Sequence, residues 1–232
     1  VNVTGTPQIT LETGSSDAVV DYSSGTGTNT LTFNYTVVAG HTSLDLNYVA
    51  TNSLALNSGT IKDAALNAAT LTLPAIGAAG SLAVNKDIEI DTTSPTVAIT
   101  STTTGVSDGS TTSDATINLT FTTSESTTDF VVGDITAGNG TLTDFTGSGT
   151  SYTATFTPTG QGACTIDVAG NTFTDGASNN NAAADQFNWT FDDVAPTVTS
   201  VTSTKANGTY SIDEIIAITI TFSEAVNVTG TP

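Results

Sequence analysis

The sequence has almost no basic residues. It contains three lysines and no arginine against 22 acidic residues, which gives a formal net charge of −19 over 232 residues. Nucleic acids and anionic membrane surfaces are bound through clusters of Lys and Arg. Because no such cluster exists here, we expect neither a nucleic-acid partner nor membrane insertion of this segment.

Cysteine and histidine are equally scarce. The single cysteine, Cys164, excludes an intrachain disulfide, and we expect its side chain to be buried in a strand. The single histidine, His41, stands in a polar turn and has no second His or Cys with which to bind a transition metal. It also offers no credible Ser-His-Asp triad, so the chain is not predicted to be an enzyme. No apolar run is long enough to cross a bilayer.

Short stretches of alternating apolar and polar residues make up most of the chain. Examples are LTFNYTVV at 31–38 and ATINLTFTTSES at 115–126, and SLAVNKDIEID at 81–91 is also predicted to be a strand. No helical periodicity of useful length is present. Thr, Ser, Gly and Asn fill the intervening turns. The pattern predicts an all-β fold.

The two ends of the sequence share one motif. VNVTGTP occupies residues 1–7 and recurs at 226–232, so the two copies begin 225 residues apart. A repeat of this length is typical of tandem arrays. We therefore interpret the chain as about one period of a longer array.

Two proline-containing joints divide the chain. DTTSPT begins at residue 91 and DDVAPT at residue 192, and each precedes a similar pair of strands. This predicts a complete sandwich at 94–193. Residues 1–93 are predicted to be the later strands of a split sandwich, and residues 194–232 the opening strands of the next copy of that split type. The expected architecture is an alternation of two antiparallel β-sandwiches along a fibre.

Several sequence motifs resemble those of known bacterial families. The central segment, with TFTTSESTTDFVVGDIT and FTDGASNN, looks like the bacterial Ig-like domains of giant biofilm and adhesin proteins. The split domain, with FSEAV, GTPQITLETG and GTIKDAALNAATLTLP, is similar to a long repeat of very large secreted surface proteins. The resemblance implies tandem Ig-like antiparallel β-sandwiches in an extended array, secretion to the cell surface, a stalk or adhesive role, and calcium at the domain joints.

Acidic residues recur where three segments of an Ig-like sandwich share one pole. These segments are the incoming linker, the loop after the second strand, and the last loop. In the central domain the predicted set is Asp91, Glu125, Asp175 and Asn179, and in the split domain it is Asp192, Asp193, Glu224, Asp63 and Asn67. Oxygen ligands from several segments suit six- to eight-coordinate Ca²⁺ better than Mg²⁺. We therefore predict a calcium ion at each joint. The alternative is that these residues form ordinary solvated turns.

The last loops depart from the pattern that they resemble. Such loops usually read Asp-x-Ala-Gly-Asn, whereas Leu66 and Ser178 stand at the glycine position here. If that glycine has a positive φ, we expect backbone strain at Leu66 and somewhat less at Ser178.

Taken together, the sequence predicts a structural repeat unit of an extracellular bacterial surface fibre or giant adhesin stalk, stiffened by calcium. Its expected partners are neighbouring repeats of the same chain or fibre, with self-association in a biofilm matrix. The alternative function is an adhesion module that binds carbohydrate or a host surface through exposed aromatic rings such as Trp189 or Tyr48. Burial of Trp189 would argue against that alternative.

Overall fold

The structure is a computed structural model that describes residues 1–230. Thr231 and Pro232, the last two residues of the second VNVTGTP motif, lie outside the described residues. The predicted all-β fold is confirmed, since nearly all regular structure is strand. No helix among residues 1–230 is both long and apolar enough to cross a lipid bilayer.

Sixteen strands and two short helical turns are present in the described part of the chain. The strands are β1 (Asn2–Thr4), β2 (Gln8–Glu12), β3 (Ala18–Ser24), β4 (Thr32–Phe33), β5 (Asn47–Tyr48), β6 (Leu54–Ala55), β7 (Thr60–Lys62), β8 (Val97–Ser101), β9 (Thr111–Thr112), β10 (Ile117–Thr127), β11 (Ile135–Gly138), β12 (Gly140–Pro158), β13 (Gly162–Val168), β14 (Phe187–Phe191), β15 (Val198–Ser203) and β16 (Ile218–Phe222). The helical turns are α1 (Leu82–Asn85) and a 3₁₀ turn (Val132–Asp134).

The segment at 81–91 differs from the predicted strand. It begins with the helical turn α1, and only Ile90 makes a β-bridge, to Ser43. The reason is local, because Leu82, Ala83 and Val84 are three consecutive apolar residues and do not alternate. Leu82 instead packs on the core of the N-terminal segment. The prediction of one continuous strand was therefore wrong.

The central segment folds as two facing sheets. One sheet has the strand order β12-β10-β8 and the other has the order β11-β13-β14-β9. All pairs are antiparallel except β14–β9, which is parallel. This is the arrangement of an Ig-like sandwich.

Large apolar side chains from both sheets fill the space between them. Trp189 and Phe156 are 2% and 0% exposed, and their rings meet edge to face with centroids 4.7 Å apart. Cys164 is fully buried in β13, as predicted, and burial raises the pKa of its thiol. The core is continuous, because β-strand alternation directs every second residue inward.

The chain enters and leaves the central sandwich at opposite poles. The β10 strand runs from Ile117, opposite Phe156, to the end that carries Glu125. Asp91 lies beside Glu125 at this entry pole. After β14, the amide of Asp192 donates to the carbonyl of Thr112 at 2.9 Å, near the start of β10. The N-terminal segment and the C-terminal hairpin therefore attach to opposite ends of the central sandwich.

The flanking segments are less completely packed. Residues 1–93 form a sheet of order β4-β3-β2-β5, with β6 also on β2, and a separate β1-β7 pair. Their core is small and includes Leu11, Val20 and Tyr48. Residues 194–230 contain one antiparallel hairpin, β15-β16. The assignment of both flanks to one split type of sandwich, with boundaries at 93 and 193, stays a prediction.

Gly140 gives a direct test of packing in the central sandwich. A Cβ at this position would lie 2.0 Å from Cζ of the fully buried Phe156. Gly140→Ala is therefore expected to lower the free energy of unfolding by about 1–3 kcal/mol through overpacking. The control is Gly133→Ala, whose Cβ would have Val131 Cγ2 as its nearest neighbour at 4.0 Å. Denaturant unfolding followed by the fluorescence of Trp189 measures both, and equal stabilities would contradict this packing.

Candidate metal centre

Three carboxylates converge at the entry pole of the central sandwich. Oxygen atoms of Asp91, Glu125 and Asp175 all lie within 4.8 Å of one another. Asp175 is buried, and the other two are half-buried. Within residues 1–230 this is the single cluster of three or more His, Cys, Asp or Glu side chains with metal-binding spacing. The cluster joins the incoming linker to the last loop of the domain and to the end of β10, which carries Glu125 in place of the loop predicted there.

Asp175 is fixed by its own loop. Its Oδ1 accepts hydrogen bonds from the amides of Ala177 at 2.8 Å and Asn179 at 2.9 Å, and its Oδ2 accepts one from Asn179 Nδ2 at 2.9 Å. Ser178 takes a positive φ of 69° to close this turn. The carboxylate therefore has a set orientation, with lone pairs left for a further partner.

Asp91 is held between the two segments that it connects. The preceding Ile90 bridges to Ser43, and the amide of Thr93 donates to Asp91 Oδ1 at 2.9 Å. The carbonyl of Asp91 accepts a hydrogen bond from Asn179 Nδ2 at 3.2 Å. Asn179 thus contacts both Asp91 and Asp175 and orients the linker on the last loop.

Glu125 shows the electrostatic cost of this arrangement. Its pKa is raised by partial burial first, then by the negative charges of Asp91 and Asp175, and also by a hydrogen bond with Asp91. Like charges so close together repel unless protons or cations intervene. Three hard oxygen donors with mutual repulsion are the chemical setting in which a divalent cation such as Ca²⁺ binds.

A fourth acidic residue borders the same crevice and was missed by the sequence analysis. Glu89 lines the crevice together with Asp91, Glu125 and Asp175. Glu89 could have been predicted from its position two residues before Asp91, because residues two apart lie on the same side of an extended chain. Buried Ile90 stands between them and points the other way.

The loop of the second predicted set has the same geometry as the first. Asp63 Oδ1 accepts from the amide of Asn67 at 2.8 Å, and Oδ2 accepts from Asn67 Nδ2 at 2.9 Å. These hydrogen bonds, the side-chain one foremost, lower the pKa of Asp63. Leu66 has a φ of 71°, close to that of Ser178, so the condition under which backbone strain was expected is met at both positions.

The other members of the second set, Asp192, Asp193 and Glu224, follow the central sandwich in the chain. Asp192 Oδ1 accepts from the amide of Val194 at 3.1 Å, which repeats the contact that Asp91 makes two residues ahead. Asp193 instead accepts a hydrogen bond from Gln161 Nε2. Glu224 is exposed just after β16. In the described part of the chain these residues do not form a cluster with Asp63, and their role as ligands stays a prediction.

The comparison with known families agrees with this architecture. The central segment has the strand arrangement of an Ig-like sandwich with an acidic crevice at its entry pole. Residues 91–191 match the family described as bacterial Ig-like domain. The matched range begins at Asp91 and includes all three clustered acids. No curated protein and no solved structure matches the chain.

The positive φ of Leu66 predicts a stabilising substitution. A left-handed conformation costs a non-glycine residue roughly 1 kcal/mol, and the Leu66 side chain is 72% exposed, so its removal loses little packing. Leu66→Gly is expected to stabilise the N-terminal segment by about 0.5–1 kcal/mol. The neighbouring substitution Ala65→Gly is the control and should destabilise it, because the residue has an ordinary φ. Hydrogen exchange of the amides in β1 and β7 reports on this segment. Faster hydrogen exchange of these amides in Leu66→Gly would contradict the proposed backbone strain at Leu66.

The repulsion at Glu125 predicts that removal of its charge stabilises the domain when no cation is bound. In EDTA, Glu125→Gln is expected to stabilise the central domain, because it removes one of three clustered negative charges. The gain should be on the order of 0.5–1 kcal/mol, or a few degrees in melting temperature. The matched control is Glu224→Gln, at the equivalent position of the C-terminal hairpin, and should leave the melting temperature unchanged. A destabilised Glu125→Gln in EDTA would show that the carboxylate makes net favourable contacts.

Proposed function

We propose that this chain is a structural repeat unit of an extracellular bacterial surface fibre or giant adhesin stalk, stiffened by calcium at its domain joints. The observation that carries the proposal is the position of the acidic cluster. One of its carboxylates, Asp91, belongs to the linker, and the others, Glu125 and Asp175, belong to the domain. A cation bound to all three would tie the two together.

The direction of the chain supports an extended role. The joints at Asp91 and Asp192 lie at opposite poles of the central sandwich, so consecutive domains follow one another in a line. Bacterial Ig-like domains are typically non-enzymatic modules, often on the cell surface, and this class supports secretion and a mechanical task. The domains would then act through their length and stiffness rather than through catalysis.

A cation would change the mechanics of the joint. Without it, the linker is held on the last loop by the hydrogen bond from Asn179 to the Asp91 carbonyl and by the hydrogen bond from the amide of Ala182 to the Pro95 carbonyl. With it, two or three carboxylate bonds would cross the joint and the repulsion among the acids would be offset. The same ligand set is proposed for the second joint: Asp63, Asn67, Asp192, Asp193 and Glu224.

The carbohydrate-binding alternative has less support. Trp189 is 2% exposed and packs between Phe156 and Phe187, and Tyr48 is 5% exposed. Stacking on a sugar requires an accessible aromatic face. Neither ring provides one, so we favour the structural role, with neighbouring repeats and other fibres of a biofilm matrix as partners.

Calcium addition tests the proposal. With free Ca²⁺ at about 100 times the dissociation constant, binding should stabilise the central domain by about 2–3 kcal/mol relative to EDTA. The melting temperature should rise on the order of 10 °C. Small-angle scattering should show a narrower range of end-to-end dimensions, because the joint is less flexible. Calorimetric titration gives the affinity.

Two controls make the calcium test specific. Glu125→Gln should lose most of the calcium response while still folding, and Mg²⁺ should have a smaller effect than Ca²⁺ because it requires a tighter octahedral site. An unchanged melting temperature and unchanged scattering with calcium would overturn the calcium part of the proposal.

A further inference from the structure

The first strand of the central sandwich has one edge without a neighbouring strand. β8 ends its sheet and pairs with β10 alone. The amide of Ser124 donates to the Thr96 carbonyl at 2.9 Å, so the even-numbered residues from 96 onward direct their backbone groups toward β10. The amides and carbonyls of Val97 and Ile99 therefore point away from β10, toward the open edge of the sheet.

A second segment begins to pair with this edge and then leaves it. The amide of Ala182 donates at 2.9 Å to the carbonyl of Pro95, which faces outward just before β8. Two residues later, the amide of Ala184 donates instead to the carbonyl of Val168 on β13, also at 2.9 Å. The second segment therefore bows away from β8. No backbone hydrogen bond among the described residues reaches the open side of this strand.

The gap between the two segments is a groove of about 430 Å³. Residues 96–99 form one wall, and residues 183–187 form the other. The floor is apolar, because Val97 and Phe187 are each 5% exposed and Ile99 packs partly on the same core. Every lining residue belongs to the central sandwich, whose two facing sheets are both present. The groove is therefore a property of this domain alone.

The rim of the groove is acidic. Asp108 and Asp185 line it and are exposed, and none of the described residues that line it is basic. Asp108 is fixed in place, because its Oδ1 accepts a hydrogen bond from the amide of Asn188 at 2.8 Å. The one ion pair of the described residues, Lys205 with Glu214, lies elsewhere. Negative charge around an apolar groove favours a partner of positive charge.

We propose that this groove binds an extended, basic segment of a partner polypeptide, which adds as a strand to the free edge of β8. The main chain of the segment pairs with Val97 and Ile99, and its apolar side chains lie on the floor. Its Lys or Arg side chains reach Asp108 and Asp185. In strand addition, main-chain hydrogen bonds give affinity and alternate side chains give specificity. The aliphatic stems of Lys and Arg also cover apolar surface while their charged ends stay in water.

The charge of the chain argues for a different protein as the partner. A second copy would carry 22 acidic residues against three lysines, so like charge would oppose its approach. β8 has five residues and spans ~17 Å, which is enough to pair with a short extended segment. This inference goes beyond the proposed function, because it assigns a partner to the side of the domain rather than to the joint.

A synthetic peptide of alternating Val and Lys, about eight residues long, tests the proposal on the full 232-residue chain. Fluorescence anisotropy of the labelled peptide measures its binding. It should bind about tenfold more tightly than the matching Val-Glu peptide, because the rim attracts one and repels the other. A fully N-methylated Val-Lys peptide keeps the charges but has no backbone N–H, and it should bind about tenfold more weakly. Added salt should weaken binding, since the rim is exposed.

Substitutions at the rim locate the bound peptide. Asp108→Asn and Asp185→Asn should each weaken binding about two- to fivefold, as expected for one exposed ion pair. Asn at 108 keeps a side-chain oxygen that can accept from the Asn188 amide. The matched control is Asp167→Asn, which removes the same charge from β13 outside the groove and should leave binding unchanged. Trp189 fluorescence checks that each variant is folded.

The acidic crevice at the joint is the competing site for a basic peptide. A peptide held there would be displaced by Ca²⁺ and would bind less well to Glu125→Gln, whereas groove binding should be the same in EDTA and in Ca²⁺ at matched ionic strength. Four outcomes would overturn the proposal. They are equal binding of the Val-Lys and Val-Glu peptides, undiminished binding of the N-methylated peptide, displacement by Ca²⁺, and equal affinities of Asp185→Asn and Asp167→Asn. None of these outcomes bears on the melting temperature in Ca²⁺, which tests the joint separately.

Discussion

Every strand pair in this chain has an apolar face that must be kept from water, and the three segments meet that requirement to different degrees. The central sandwich covers its own, with Phe121, Phe156 and Trp189 between two sheets. Residues 1–93 cover theirs in part, and the C-terminal hairpin leaves most of its face exposed. The two longest strands, β10 and β12, lie in the segment whose apolar face is fully covered.

Charge places a second constraint on the joints. With 22 acidic residues against three lysines, few carboxylates have a basic partner, and the described residues contain one ion pair, Lys205 with Glu214. Asp91 and Asp175 are instead oriented by neutral backbone amides, that of Thr93 for Asp91 and those of Ala177 and Asn179 for Asp175. Neutral donors fix geometry without cancelling charge. The joint therefore has a defined shape and an uncompensated negative potential, the combination that attracts a mobile cation.

The sequence allowed the fold class to be predicted, because alternation is a local signal, and it named Asp91, Glu125 and Asp175, which the structure brings together. It did not predict α1, where tertiary packing of Leu82 decides the conformation. It missed Glu89, whose proximity depends on the path of the linker, and it could not separate Asp192 from Asp193. Only the structure shows that Asp192 repeats the contact of Asp91 while Asp193 turns toward Gln161. Long-range geometry decides each of these cases.

The placement of the first and last strands of the central sandwich also determines how it would respond to tension. The first strand, β8, begins at the entry pole and pairs antiparallel with β10, and the last strand, β14, ends at the exit pole and pairs in parallel with β9. A force that pulls the two joints apart acts along these strands. The hydrogen bonds perpendicular to them are then loaded together in shear and cannot be opened one at a time from an end. This connectivity makes the central sandwich resist extension as a cooperative unit.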